Sequence, residues 1–217
     1  MRKVETVRFE PRKTPQQARS TASVQAILQA SVQVLLKHGR AKLTTTRVAE
    51  RAGVSVGTLY QYFPNKSSLL QALLKGHLDS VAAAVETACE AAHGTSLAEM
   101  AEAVARAFVQ AKFRHLDASA ALYAVSDDVE GKRIAQSMHG RVTAAMAGML
   151  RTARGQTVPQ PETAAATLLA AMAGVSRALL ESNGAKANEA TMRLMERELI
   201  VMMRAYLEAS AAGDLRG

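Results

Sequence analysis

Apolar residues recur three and four positions apart along most of the chain, and no stretch alternates them one by one. Val24, Ile27, Leu28, Ser31, Val34 and Leu35 form one such stripe, and Leu70, Leu73, Leu74, His77, Leu78 and Val81 form another. That period buries one side of an α-helix, whereas a half-buried strand needs a period of two. Composition agrees: alanine, leucine, valine and methionine fill the stripes, and aromatics make up 4% of the residues. The expected fold is all-α, with about nine helices.

Local signals divide these helices. The first runs from about Gln16 or Ser20 to His38, with Gly39 as a left-handed cap. Thr44 caps the second, with Leu43 before it as a staple and Val48, Ala49 and Ala52 as its buried face. Gly53 ends it, and Ser55 caps a third whose inner side is Leu59 and Phe63. Pro64 stops that helix, Asn65 caps a fourth reaching towards Ala92, and Gly94 closes it. Ser96 and Glu99 have capping-box spacing and open a helix to about Arg114, followed by a shorter one around Ala118 to Val125. The acids of Asp127 to Gly131 suit the start of a long helix through Arg154, because a helix N-terminus carries partial positive charge. Gly155 to Pro161 is a loop, and two strongly apolar helices remain, separated by a turn over Glu181 to Lys186.

Charge is uneven along the chain. Residues 1–66 hold twelve Lys and Arg against three Glu, a net +9, while the remainder holds fifteen bases and sixteen acids, a net −1. The first third would therefore attract a polyanion: DNA, RNA or an anionic membrane surface. Residues 1–15 read as a disordered basic arm, with Pro11 and Pro15 among scattered charges. For Arg2 to Arg19 two readings stand, a solvated tail and an arm along a duplex.

Two short helices joined by a tight glycine-containing turn, within residues 16–66, have helix-turn-helix geometry, and the second of them fits the major groove of DNA. With Leu59 and Phe63 turned inward, Val56, Gly57, Thr58, Tyr60, Gln61 and Tyr62 face outward. Gln61 can read an adenine edge, Thr58 offers a methyl and a hydroxyl, and Val56 can touch a thymine methyl. Tyr60 and Tyr62 splay to either side and can each reach a phosphate, or else lie partly buried with only the hydroxyl wet. Thr45 and Lys66, each at a helix start, can add phosphate contacts.

The segment from Leu43 to Leu74, "LTTTRVAERAGVSVGTLYQYFPNKSSLLQALL", closely resembles the DNA-binding segment of the tetracycline-repressor (TetR/AcrR) family, with a threonine-capped helix, "AGVS", "GTLY", "YF" and a following lysine in that order. The resemblance implies that Thr45, Tyr60, Tyr62 and Lys66 clamp phosphates and that Val56, Gly57, Thr58 and Gln61 face bases. Thr46 stands where some members place a base-reading arginine, which leaves a guanine contact there in doubt. Arg47 replaces the usual capping-box acid and adds a phosphate contact instead. It further implies a cytoplasmic two-fold dimer on a palindromic double-stranded operator, with residues 67–217 binding an effector and dimerising through the last two helices.

The candidate dimer stripe is Leu168, Met172, Val175 and Leu179 on one helix and Met192, Met195, Leu199, Met202 and Tyr206 on the next; the same stripes could pack inside one chain. Candidate pocket walls are Phe108, Phe113, His115, Tyr123, Met138, His139, Met146 and Met172, suited to a small apolar or planar effector, though each alone also fits ordinary core. Enzyme chemistry has little support. No Gly-x-Ser-x-Gly elbow, glycine-rich phosphate loop or HExxH spacing occurs, His115 with Asp117 is a weak pair, and no cofactor or metal is implied. Cys89 reads as an ordinary helical cysteine before a thiol sensor, and no apolar run is long enough to cross a bilayer. The main alternative regulator is a constitutive DNA-binding protein without an effector.

Overall fold

The structure, a computed structural model, describes residues 15–39, 41–114, 129–183 and 188–213. Among the described residues there are eight helices: α1 (Pro15–His38), α2 (Thr45–Ala52), α3 (Val56–Tyr62), α4 (Lys66–Ala91), α5 (Leu97–Phe113), α6 (Val129–Leu150), α7 (Pro161–Asn183) and α8 (Glu189–Ala212). The basic arm over 1–14, the short helix expected around Ala118 to Val125, the acids Asp127 and Asp128, and Gly184 to Lys186 lie outside the described residues. No described helix is long and apolar enough to cross a membrane. The chain divides into two compact units that part between Leu69 and Leu70.

In the first unit α1 packs on α2 and α2 on α3. Ile27, Ala30, Val34 and Leu35 of α1 meet Leu43, Val48, Ala49, Leu59, Phe63 and Leu69 as buried neighbours. Ser31, fully buried, stays satisfied because its hydroxyl donates to the Ile27 carbonyl at 2.7 Å. The helix ends follow their local chemistry. Thr44 Oγ1 accepts from Arg47 N at 3.3 Å and Ser55 Oγ from Thr58 N at 2.9 Å. Phe63 takes an extended backbone (φ −130°, ψ 95°), as the residue before a proline prefers, while its N–H still donates to Leu59 at 2.9 Å. Asn65 Oδ1 then accepts from Ser68 N at 2.8 Å and starts α4.

The second unit pairs α5 with α8, α6 with α7 and α7 with α8. Its core joins Val81, Val85 and Cys89 of α4 to Met100, Val104 and Phe108 of α5, Val142, Met146 and Met149 of α6, Leu168 and Met172 of α7, and Met195, Leu199 and Met203 of α8. Methionines fill much of this interior, where an unbranched, polarizable chain adapts to irregular gaps. The Ser96–Glu99 capping box forms as its spacing predicts.

Four boundaries differ from the sequence reading. Pro15, expected in the arm, is the first residue of α1, and Glu181 to Asn183, expected in the turn, are the last residues of α7. The long helix α6 ends at Leu150 rather than at Arg154: the chain first tightens, with Thr152 N donating to Met149 O at 2.9 Å and Ala153 N to Leu150 O at 3.3 Å, and then turns to distant partners. Arg154 N donates to the Thr95 carbonyl at 2.8 Å, and Gly94 N donates to Thr152 Oγ1 at 2.9 Å. Pro161 opens α7 instead of closing the loop, since a proline at the first helical position loses no hydrogen bond.

Candidate nucleic-acid interface

The turn from α2 to α3 is set by Gly53. Its φ of 68° lets Val54 N reach Ala49 O at 3.0 Å and Gly53 N reach Glu50 O at 3.2 Å, the paired bonds of a Schellman ending. Ser55 caps α3 immediately afterwards, so the two helices are joined by three residues. Leu59 and Phe63 turn inward and are buried. Val56, Gly57, Tyr60 and Gln61 are exposed, and Thr58 and Tyr62 are half-buried.

Several of the expected contact residues come together. Thr45 Oγ1 and Tyr60 Oη lie 3.1 Å apart, so the first turn of α2 and the middle of α3 share a hydroxyl pair at the surface. Thr46 is exposed beside them at the second position of α2, and Lys66, half-buried, is the first residue of α4. Two side chains are engaged differently from the sequence expectation. The Thr58 hydroxyl sits 2.8 Å from Ser55 Oγ, within the cap of its own helix, and Arg47 Nη1 donates to the Lys42 carbonyl at 3.0 Å.

Gly57 is informative for what it does not do. Its φ is not positive, and a Cβ built on it would meet only Ser55 Oγ, at 3.7 Å. Neither backbone strain nor lack of room in the chain requires a glycine there.

A groove of about 660 Å³ opens between α1 and α2, lined by Gln33, Val34, His38, Arg47, Glu50 and Arg51. Arg51 Nε donates to Gln33 Oε1 at 2.7 Å and braces its α2 wall against α1. The His38 imidazole is held below its ordinary pKa, first by partial loss of hydration and then by the charges of Arg47, Lys37, Lys42 and Arg51. The sequence reading counted these cations but did not group them. They come from a helix end, a loop and a second helix, and only packing of α1 on α2 brings them together.

In the second unit a groove of about 490 Å³ lies between α4 and α6, with Leu78, Ile134 and Met138 as apolar wall and Lys75, Asp79 and Arg133 as charged rim. Arg141 binds across the same pair of helices, to Glu86 at 3.1 and 2.8 Å and to Asp79 at 3.0 Å. Of the expected pocket residues, Met138 lines this groove. Phe108, Met146 and Met172 do not; they are enclosed in the core, where the apolar faces of α5, α6 and α7 close on one another. Phe113 and His139 are half-buried, and His115 and Tyr123 lie outside the described residues. Lys112, buried with its ammonium 5.6 Å from the Phe108 ring centroid, is a core cation that no periodicity pointed to.

The expected dimer stripe needs a similar correction. Leu168, Met172, Met195 and Leu199 are buried by their own chain, since α7 and α8 use those faces against the rest of the unit. Val175, Leu179, Met192, Met202 and Tyr206 pack partly against that core, and Leu194 and Val201 stand exposed on α8. Cys89 is buried, and burial first, then Glu86 and Glu90, pushes its thiol up to about 12, which suits packing and not a thiolate sensor. Among the described residues no group of three or more His, Cys, Asp and Glu could hold a metal ion.

Comparison with known proteins bears on both units. Residues 27–73 match a family model described as bacterial regulatory proteins, tetR family, and residues 96–207 match one described as tetracyclin repressor-like, C-terminal domain. The uncharacterized HTH-type transcriptional regulator YvkB of Bacillus subtilis is 45% identical over 51 residues, 24% of this chain and 27% of that protein. The HTH-type transcriptional regulator TtgR of Pseudomonas putida is 40% identical over 63 residues, 29% of each chain. These alignments span less than a third of either relative's length. A crystal structure of a transcriptional regulator from Cytophaga hutchinsonii shares the fold, with a TM-score of 0.71 at 17% identity, over 88% of this chain and 99% of that one.

Proposed function

Because the chain belongs to the tetR family of bacterial regulatory proteins, we propose that it is a transcriptional repressor that binds a palindromic operator as a homodimer and is released by a small-molecule effector. The observation that carries the DNA-binding part is α3. A short capped helix is tied to its unit by Leu59 and Phe63 and presents Gly57 and Gln61 to solvent, beside the Thr45–Tyr60 hydroxyl pair. In this reading residues 16–66 grip DNA. Thr45, Tyr60, Tyr62 and Lys66 hold phosphates, and Val56, Gly57, Thr58 and Gln61 meet base edges.

Residues 67–217 then carry dimerisation and effector binding. Leu194 and Val201, seven residues apart on α8 and 41% and 59% exposed, are apolar side chains that a dimer interface on that face would cover. The groove between α4 and α6 favours an effector-responsive protein over a constitutive DNA binder, having the size and mixed lining of a small-molecule site. An effector that prefers a dimer with misplaced recognition helices shifts the equilibrium off DNA by no more than its differential affinity.

Selection of bound sequences from random duplex DNA tests the reading, followed by binding of Gln61→Ala to the selected site and its single-base variants. Gln61→Ala should relax preference at one position, by about 1–3 kcal/mol. Equal loss on every sequence would reassign Gln61 from base readout to grip, and no selected consensus at all would reject an operator-binding role.

A further inference from the structure

His38 from the end of α1 and Arg47 and Arg51 from α2 line the groove between these helices, and Lys37 beside His38 and Lys42 on the loop stand close enough to act on the His38 charge. We propose that this groove is a second DNA-binding surface, one that holds the phosphate backbone of duplex flanking the base pairs met by α3 and takes up a proton at His38 as it does so. The inference rests on the DNA-binding reading above.

Three observations support it. The first is uncompensated charge. Glu50 is the acid of the groove lining against Arg47 and Arg51, and Lys37 and Lys42 add two further cations close enough to act on His38. The hydrogen bonds that aim the two guanidinium groups go to neutral partners, the Lys42 carbonyl and the Gln33 amide, so they fix direction without cancelling charge. A phosphate oxygen is the partner such a surface lacks.

The second is continuity. Arg47 lies in the same first turn of α2 as Thr45, whose hydroxyl meets Tyr60 of α3. The two side chains point to opposite sides of that turn, so the groove flanks the start of α2 on the side away from the hydroxyl pair, and the continuity runs through the helix N-terminus alone. Phosphate contacts from these cations carry no sequence information, so the expected contact is indifferent to sequence.

The third is His38. The exposed imidazole faces Lys37 on its own helix, Lys42 on the loop, and Arg47, Glu50 and Arg51 on α2, and its pKa is held down in the free protein first by partial loss of hydration and then by the four cations. Phosphates that neutralise those cations remove the repulsion, so the bound-state pKa rises above the free one. Protons are then taken up on binding, and affinity increases as pH falls towards and below the ordinary histidine value of about 6.5. Lysine, arginine and glutamate ordinarily titrate well outside that interval.

The test uses the full chain and two duplexes carrying the same selected operator. One duplex ends at the operator boundary and the other is extended by about one helical turn of unrelated sequence on each side. Affinity is measured by fluorescence anisotropy from 50 to 200 mM NaCl at pH 5.5, 6.5 and 7.5. The extended duplex should bind about tenfold tighter at 100 mM salt, with a log–log salt slope steeper by about two to three units, and its advantage should grow at pH 5.5. Lys37→Gln combined with Lys42→Gln should lose most of that extra slope while keeping affinity for the short duplex. His38→Gln should keep the length advantage and lose its pH dependence.

Equal slopes for the two duplexes, or a pH dependence that survives His38→Gln, would overturn the proposal. Equal slopes together with saturable binding of inorganic tripolyphosphate would overturn it in favour of a free polyphosphate. Failure of the wild-type chain to prefer any duplex sequence would refute the operator reading and this inference with it; preference for the operator without a length effect would refute this inference only.

Discussion

Gly57→Ala separates what the fold needs from what the duplex needs. Gly57 is the second residue of α3, has no positive φ, and leaves room for a Cβ whose nearest neighbour would be Ser55 Oγ at 3.7 Å. An alanine in a helix is favoured over glycine by about 0.5–1 kcal/mol, mostly through the entropy of the unfolded chain. For a protein of this size that corresponds to a rise of about 1–4 °C in melting temperature. On DNA the sign reverses. The added methyl stands in the first turn of the recognition helix, one residue from Val56 and four from Gln61, and it holds the backbone away from the base edges. Losing one good contact costs about 1–3 kcal/mol, or about 5- to 150-fold in Kd. Circular dichroism melting and anisotropy against the selected operator read the two quantities on one preparation. A variant that melts higher and binds as tightly as wild type would show that Gly57 does not approach the duplex. One that melts several degrees lower would show that the helix itself needs the glycine.

Tyr60→Phe and Thr45→Ala each break an exposed hydroxyl pair and should change stability by less than about 1 kcal/mol, yet both should weaken binding to all duplex sequences; a double variant no worse than either single one would mark the pair as a unit. Cys89 should react with a thiol reagent at pH 8 about a thousandfold more slowly than a cysteine of ordinary pKa, because at a pKa of about 12 its thiolate is scarce; fast labelling of the native chain would contradict its closed packing. Glu99 is held below its ordinary pKa first by hydrogen bonds from Ser96 and then by Arg154, so its stabilising effect is complete above about pH 4.5 and fades as pH falls through the lowered value. Ser96→Ala should therefore lower the melting temperature at pH 7 and narrow the gap between pH 7 and pH 3; an unchanged gap would remove Glu99 from the acid response. Val201→Arg should leave the helical signal intact and shift sedimentation towards the single-chain mass, and an unchanged mass would exclude that face of α8 from the dimer.

Nearly all of the helix punctuation could be read from neighbours in sequence. Thr44, Gly53, Ser55, Pro64, Asn65 and the Ser96–Glu99 box act on backbone groups within four or five residues, so their effect is written locally and the structure repeats it. The outward and inward sides of α3 were legible for the same reason, because Leu59 and Phe63 are one turn apart. The end of α6 was less so, since beyond its local closing bonds Arg154 N turns to the Thr95 carbonyl and Thr152 Oγ1 accepts from Gly94 N, partners distant in sequence.

The larger question that the sequence left open was what covers an apolar stripe. Periodicity shows that Leu168, Met172, Met195 and Leu199 must be covered, but an apolar face has no chemical preference between its own chain and a second copy. The packing of α5 to α8 decides in favour of the former for those four and leaves Leu194 and Val201 outside. The basic groove is the same lesson in charge. Lys37, His38, Lys42, Arg47 and Arg51 are visible one by one in the sequence, yet Arg47 and Arg51, which with partial loss of hydration help lower the His38 pKa, come near it only once α1 and α2 are packed. Short-range hydrogen bonding and helical period are properties of the chain, while enclosure and electrostatic potential depend on which distant segments become neighbours.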